Sequence, residues 1–246
     1  MTVPEKITQK HFNKYSPWYF SGFSLMIIIV WNIPDGFYYL YPLTILATYF
    51  HEMGHGLAAL LLGGNFHYLL VHPDGSGVAV HSGVQFLGPI GQAIVAIGGP
   101  LGPTFAGMLF IYASASVKAT QRLLVVIGAL IIITVLIWVR SVFGVLFLIA
   151  VGALLMYIGI KSSERAKQLV LQLLGVSSML SLYQNIGYFF IDKVEIDGKI
   201  MYSDTGYLQE YLFLPYWMWA IIILGISLFA FYKSFAYLYK KNKEQQ

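Results

Sequence analysis

The 246-residue chain contains no cysteine. Disulfides, thiolate metal sites and a cysteine nucleophile are therefore all excluded, and the redox compartment stays open. Charge is nearly as scarce: Asp, Glu, Lys and Arg make up 11% of the residues, against about 25% in an ordinary soluble domain. A chain with so little charge cannot cover itself in water, which argues against a soluble enzyme, a disordered segment and a nucleic-acid binder. The net charge of +4 says little about partners, because most lysines sit in the two tails, as they do at membrane flanks. Internal repeats and low-complexity segments are also missing.

What fills the chain instead is apolar sequence, 58% of residues with a mean hydropathy of +0.69. Apolar runs occupy roughly residues 19–33, 38–62, 86–117, 123–139, 142–160, 169–191 and 211–232. Crossing a bilayer takes about 20 apolar residues in a helix, and most of these runs suffice. They are too long for barrel strands, and backbone groups in lipid must satisfy one another, so helices are expected. The fold class that follows is an all-α polytopic membrane protein with six or seven transmembrane helices. Between Gly63 and Gly83 lies a Gly-rich loop in which Pro73-Asp74-Gly75 separates two short β-like runs, predicting a small β-hairpin after the second helix. A polar N-terminal tail (1–18) and a basic C-terminal tail (233–246) flank a single domain spanning 1–246. Aromatics cluster near the span ends, as in an interfacial belt.

The lysine-bearing tails predict that both ends are cytoplasmic, which needs an even number of crossings. Reading residues 86–117 as a re-entrant pair satisfies that parity. It places the turns carrying Lys118, Arg122, Lys161, Arg165 and Lys167 inside and the acidic 192–210 stretch outside. Arg140 is expected to mark a tight interfacial turn.

Within the second span stands His51-Glu52-Met53-Gly54-His55. Positions i and i+4 share a helix face, so two imidazoles can reach one ion, with Glu52 beside it as a proton carrier. Zinc held this way lowers the pKa of its water to about 7. Ionisable residues in the middle of an apolar span cost about 2.5–3.5 kcal/mol on insertion scales and are usually functional. The plainer alternative is a polar cluster that bridges helices by hydrogen bonds. A catalytic zinc takes a third protein ligand. The spacing that supplies a third histidine in one large zinc-peptidase class finds Ala58 and Leu61, and no Glu follows until Glu164. His67, His72, His81, Asp74, Asp192, Asp197 and Asp204 remain as candidates.

Taken together, FHEMGHGLAALLLGG, the HPDGSG loop, GGPLGPTFAG, WVRSVFGVLF and SDTGYLQEYLFLPYWMW resemble the site-2 protease family of intramembrane zinc metallopeptidases, in its compact branch without a PDZ domain. The likeness runs from about residue 38 to 232. It implies that His51 and His55 bind Zn2+ and that Glu52 is the catalytic general base. It further implies that the late Ser203-Asp204 element supplies the third metal ligand, Asp204. Asp192 and then Asp197 or a histidine stand behind it; the plainer reading of Asp204 is the N-cap of a helix, and the two roles are compatible. The larger members use a Leu-Asp-Gly motif; the nearest string here, Ile196-Asp197-Gly198, lies among charges and reads as a solvated β-turn.

The expected function is an intramembrane zinc metalloendopeptidase, a hydrolase acting on a membrane-embedded polypeptide in the lipid bilayer of the cell membrane, with no nucleic-acid partner. The alternative is a non-catalytic metal-binding pseudo-protease with a regulatory role, against which the intact Glu52 argues. A proton or metal relay in a transporter lacks the paired repeats such folds use. The hairpin either is a plain connection or offers a strand edge to an extended substrate, a use the resemblance favours. His67, His72 and His81 are expected at the surface or the interface rather than as ligands, and Asn185 either packs a helix or hydrogen-bonds substrate backbone or a ligand carboxylate. The Gly/Pro run from Gly88 to Gly107 serves close helix packing or a broken, water-lined entry.

Overall fold

Inside a bilayer a backbone must satisfy its own hydrogen bonds, and the apolar runs of this chain do so as helices. The computed structural model of the protein describes residues 16–196 and 198–244. In chain order the elements are α1 (Ser16–Trp31), α2 (Gly36–Leu61), β1 (Asn65–Val71), β2 (Gly77–Ser82), α3 (Gly88–Ser114), α4 (Val117–Ile137) and α5 (Val142–Lys161). They continue with α6 (Glu164–Gln184), α7 (Ile186–Phe189), β3 (Lys193–Ile196), β4 (Lys199–Tyr202), α8 (Asp204–Tyr211) and α9 (Tyr216–Lys243).

Among the described residues α3, α4, α5 and α9 are long and apolar enough to cross a membrane, and α1 is a shorter apolar helix. The two remaining long helices, α2 with 26 residues and α6 with 21, are diluted by polar side chains. Against the expected six or seven spans stand four apolar helices long enough to cross, one short apolar helix and two long helices rich in polar residues. The polar pair is sheltered. Gln168, Gln172, Ser177, Ser178 and Ser181 of α6 are all buried, and α6 packs against α1, α2, α3 and α4. By contrast, α4 and α5 expose Leu130, Leu136, Val142 and Leu146.

The re-entrant pair expected over 86–117 is corrected: α3 is one continuous helix of 27 residues with Pro100 and Pro103 inside it. Helix breakers are tolerated in membrane helices where neighbouring helices pack closely around them, and here α2 does so. A Cβ on Gly54 would collide with the Gly98 carbonyl, and one on Gly102 would crowd the Phe50 carbonyl. Close packing is the reading the glycines support. The turn at Arg140 forms as expected, its guanidinium donating to the carbonyls of Val139 and Ile137 at the end of α4.

The hairpin after α2 also forms. β1 and β2 pair antiparallel with Phe66 opposite His81, Leu69 opposite Ala79 and Val71 opposite Gly77. Gly75, at φ +90°, takes the turn conformation that a side chain would strain. The outer edge of β1 is closed by the α4–α5 turn, where the Leu69 amide donates to Trp138 O (2.9 Å) and the Arg140 amide to Leu69 O (3.0 Å). Beneath it lies a core of Ile45, Tyr49, Phe50, Leu69, Phe110 and Leu148. A second antiparallel hairpin, β3–β4, occupies the polar stretch that the sequence reading left without strands. Asp197 lies outside the described residues, as does the tail through residue 15. Much of the basic tail from residue 233 is the end of α9, which runs on to Lys243.

Candidate metal centre

On α2, His51 and His55 stand one turn apart, with their Nε2 atoms 3.2 Å from each other. Asp204, the first residue of α8, brings Oδ2 to 3.0 Å from His51 Nε2 and Oδ1 to 3.2 Å from His55 Nε2. One ligand atom from each residue lies within 4.8 Å of the other two. His55 Nδ1 meets Val95 O at 2.8 Å; since a carbonyl only accepts, Nδ1 carries the hydrogen and Nε2 is left as a lone pair. Asp204 Oδ2 is buried without a hydrogen-bond partner. Two imidazole nitrogens and a carboxylate therefore point at a common place, and the His55 nitrogen that faces Asp204 has no hydrogen to donate. That N, N, O set fits zinc, whose catalytic sites take three protein ligands and keep a fourth position open.

Local sequence brings these groups there. Ser203 caps α8, its Oγ accepting from the Gly206 amide (3.0 Å), while its own amide donates to Asp192 O (2.9 Å). Thr205 Oγ1 donates to Phe189 O (2.9 Å). The start of α8 is thus fastened to the end of α7. The cap expected on Asp204 falls on Ser203 instead, because a cap must precede the first helical residue, and the Asp204 carboxylate is left for the site. Glycines supply space: a Cβ on Gly99 would strike the His55 ring, and one on Gly77 would stand 2.8 Å from Glu52 Cγ. Glu52 is buried beside the three ligands, facing β2.

The other sequence candidates fall elsewhere. Asp192 sits against Gly206, outside the group of three. Asp74 lies at the hairpin tip, where its Oδ1 accepts from the Ser76 amide (2.9 Å) and hydroxyl (2.7 Å), and these bonds hold its carboxyl below the usual range. His67 pairs with Ser82 Oγ on the exposed side of the hairpin (2.6 Å). His72 is half-buried with its Nε2 covered and without a hydrogen-bond partner, outside the ligand group. His81 faces the site cavity without joining the ligand group. Asn185 closes α6, donating to Ser181 O (3.0 Å), and lines a cavity.

Two cavities, of about 470 and 440 Å³, open at the site, the first beside His51 and the second beside all three ligands. The second runs along β2 from Gly77 to Ser82 and is walled on its far side by Tyr202, Tyr207 and Tyr211. The β3–β4 hairpin and Tyr188 also border the site. Sequence reasoning missed both. Their chain segments carry no metal-ligand spacing, and only the density of tyrosines around them stood out.

No curated protein and no solved structure matches the chain. The family model described as Peptidase M50B-like does match, over residues 22–234. Its span runs from within α1 to within α9 and takes in α2, both hairpins and α8. Covering nearly all of the described fold, and agreeing with the site-2 protease-like resemblance of the sequence, that match shows that the chain belongs to the Peptidase M50B-like family.

Proposed function

We propose that the protein is an intramembrane zinc metalloendopeptidase that cuts membrane-embedded polypeptides, resident in the cell membrane. The observation that carries this reading is the convergence of His51 Nε2, His55 Nε2 and the Asp204 carboxylate beside the buried carboxylate of Glu52. His51, His55 and Asp204 would hold the ion. Zinc when bound supplies Lewis acidity to a carbonyl and makes water a nucleophile near neutral pH. Glu52 takes the proton of the attacking water on its carboxylate and passes it to the leaving amine.

The substrate's path follows from the hairpin. β2 has no second strand partner among the described residues, and its length from Gly77 to Ser82 lines the cavity that also contains the ligands. An extended peptide adding to that edge would lie across the site, with main-chain hydrogen bonds for affinity and alternate side chains over the tyrosine wall. A transmembrane segment must unwind before it can do so, which favours substrates with Gly or Pro near the cut.

The test is elemental analysis of detergent-purified protein together with cleavage of transmembrane peptides. Wild type is expected to carry about one zinc per chain, in keeping with a single three-ligand site, and Asp204→Ala to lose it. Glu52→Gln should keep the zinc and lose turnover by about 10²–10⁴-fold. A wild type that takes up no zinc on reconstitution would overturn the reading.

A further inference from the structure

Four residues border both cavities: His51, Glu52, Gly77 and Tyr188. His51 is a ligand candidate, Glu52 the proton carrier, and Gly77 has no side chain. Tyr188 is the one shared side chain to which the reading above gives no task, and it stands where the two halves of an extended substrate would meet.

Its placement is firm. α7 follows directly on α6, the Tyr188 amide donating to Asn185 O (3.0 Å). The next residue, Phe189, is buried, and its carbonyl is held by Thr205 of α8. The Tyr188 ring packs edge-on against Phe189, with centroids 5.4 Å apart. The phenol lies within electrostatic reach of both the Asp204 and the Glu52 carboxylates. A phenol has one hydrogen to donate besides its lone pairs. Among the described residues no side-chain hydrogen bond takes up that hydrogen. The ring is thus held by a segment fastened to the start of α8, and it borders both cavities.

We propose that Tyr188 is a further catalytic residue, donating its phenolic hydrogen bond to the carbonyl oxygen of the scissile peptide. The proposal rests on the peptidase reading above. As the water oxygen bonds to the carbonyl carbon, the carbonyl π pair moves onto oxygen and the water proton goes to Glu52. Tyr188 stabilises the resulting negative oxygen and keeps its own proton. When the C–N bond breaks, the pair returns to re-form the carbonyl, and Glu52 protonates the departing nitrogen. A donor fixed before reaction is worth more than one that must be recruited, because no reorganisation is needed as charge develops.

The experiment uses the full-length, zinc-loaded protein in detergent and the variant Tyr188→Phe, which keeps the ring and removes the hydroxyl. Substrates are a set of fluorogenic transmembrane peptides interrupted by Gly or Pro. The second probe is a peptide phosphonate, whose tetrahedral oxyanion mimics the intermediate, with binding measured by calorimetry. The expected result is a fall in kcat of about 10²–10³-fold with KM and zinc content unchanged. Phosphonate affinity should fall while affinity for an uncut peptide, measured in the Glu52→Gln background, is preserved. Wild-type kcat and phosphonate affinity in Tyr188→Phe would overturn the proposal alone. Zinc loss in step with kcat would also overturn it, making Tyr188 a positioning residue for Asp204. A wild type that binds zinc and cuts none of the peptides would overturn the peptidase reading, and the proposal with it.

Discussion

Two helix crossings in this molecule are built by the same device and serve different ends. Where α2 meets α3, Gly54, Gly98 and Gly102 let the two backbones touch. Where α4 meets α5, a Cβ on Gly128 would stand 2.5 Å from Gly152 O, and one on Gly152 would stand 2.8 Å from Gly128 O. Small residues at a crossing replace the hydrophobic drive that lipid removes, since lipid tails are as apolar as leucine. The α4–α5 crossing is apolar around its glycines and faces outward through Leu130, Leu146 and Leu154. The α2–α3 crossing carries His51, Glu52 and His55, and Gly99 spends its missing side chain on the His55 ring. Close approach alone is therefore packing, and it becomes a site when the residues it brings together are ionisable. The two crossings are tied to each other through Tyr49 and Thr134, whose hydroxyls lie 2.6 Å apart.

The comparison breaks most visibly at Gly99. Replacing it with Ala pushes the His55 imidazole from its place, and zinc affinity is expected to fall about 10–100-fold, the usual cost of disturbing a ligand's support. Competition with a chromophoric chelator reads this directly; unchanged affinity would mean that the crossing does not hold the ligand. The matching change in the other crossing, Gly128→Ala, overpacks the bundle at a cost of about 1–3 kcal/mol. It should lower the thermal midpoint in detergent and leave zinc content at the wild-type level. Zinc loss there would show that the crossings are one unit.

The smallest effect lies at the tip of the hairpin that α2 supports. Ser76 holds the Asp74 carboxyl below its ordinary range, so the native state favours the charged form. A group depressed in this way contributes stability above its unfolded pKa and loses it as the pH falls through the lower native value. The tip should therefore loosen only below about pH 4, and Asp74→Asn should reproduce that loosening at neutral pH. Amide exchange at Gly75–Gly77 measures both, and a tip equally protected at pH 3 would contradict it.

Much of the candidate site could be read from the chain because its parts are local. His51, Glu52 and His55 lie within five residues, and helical periodicity alone puts both imidazoles on one face. Asp204 was reachable only through the family resemblance of Ser203-Asp204. Nothing in the 148 positions separating it from Glu52's neighbourhood specifies contact, and Asp192 and Asp74 were chemically equivalent choices. The second hairpin escaped because β3 and β4 are four residues each, too short for alternation to stand out. The re-entrant reading of 86–117 failed for a related reason: prolines and glycines mark a potential break, but neighbouring helices decide whether the helix continues.

The sequence by itself determined that this is a helical chain suited to lipid, that a hairpin follows α2, and that two histidines and a glutamate share a turn. Those properties follow from composition and from interactions between residues near one another along the chain. The tertiary structure decided which acid faces the histidines, that α2 and α6 lie within the bundle with their polar groups, and that β2 keeps an unpaired edge along the cavity. It also decided that Tyr188 stands between the two cavities. Each of these depends on where separate segments pack, and packing is fixed by shape and space, such as the room left by Gly54, Gly77 and Gly99, that no single stretch of sequence contains.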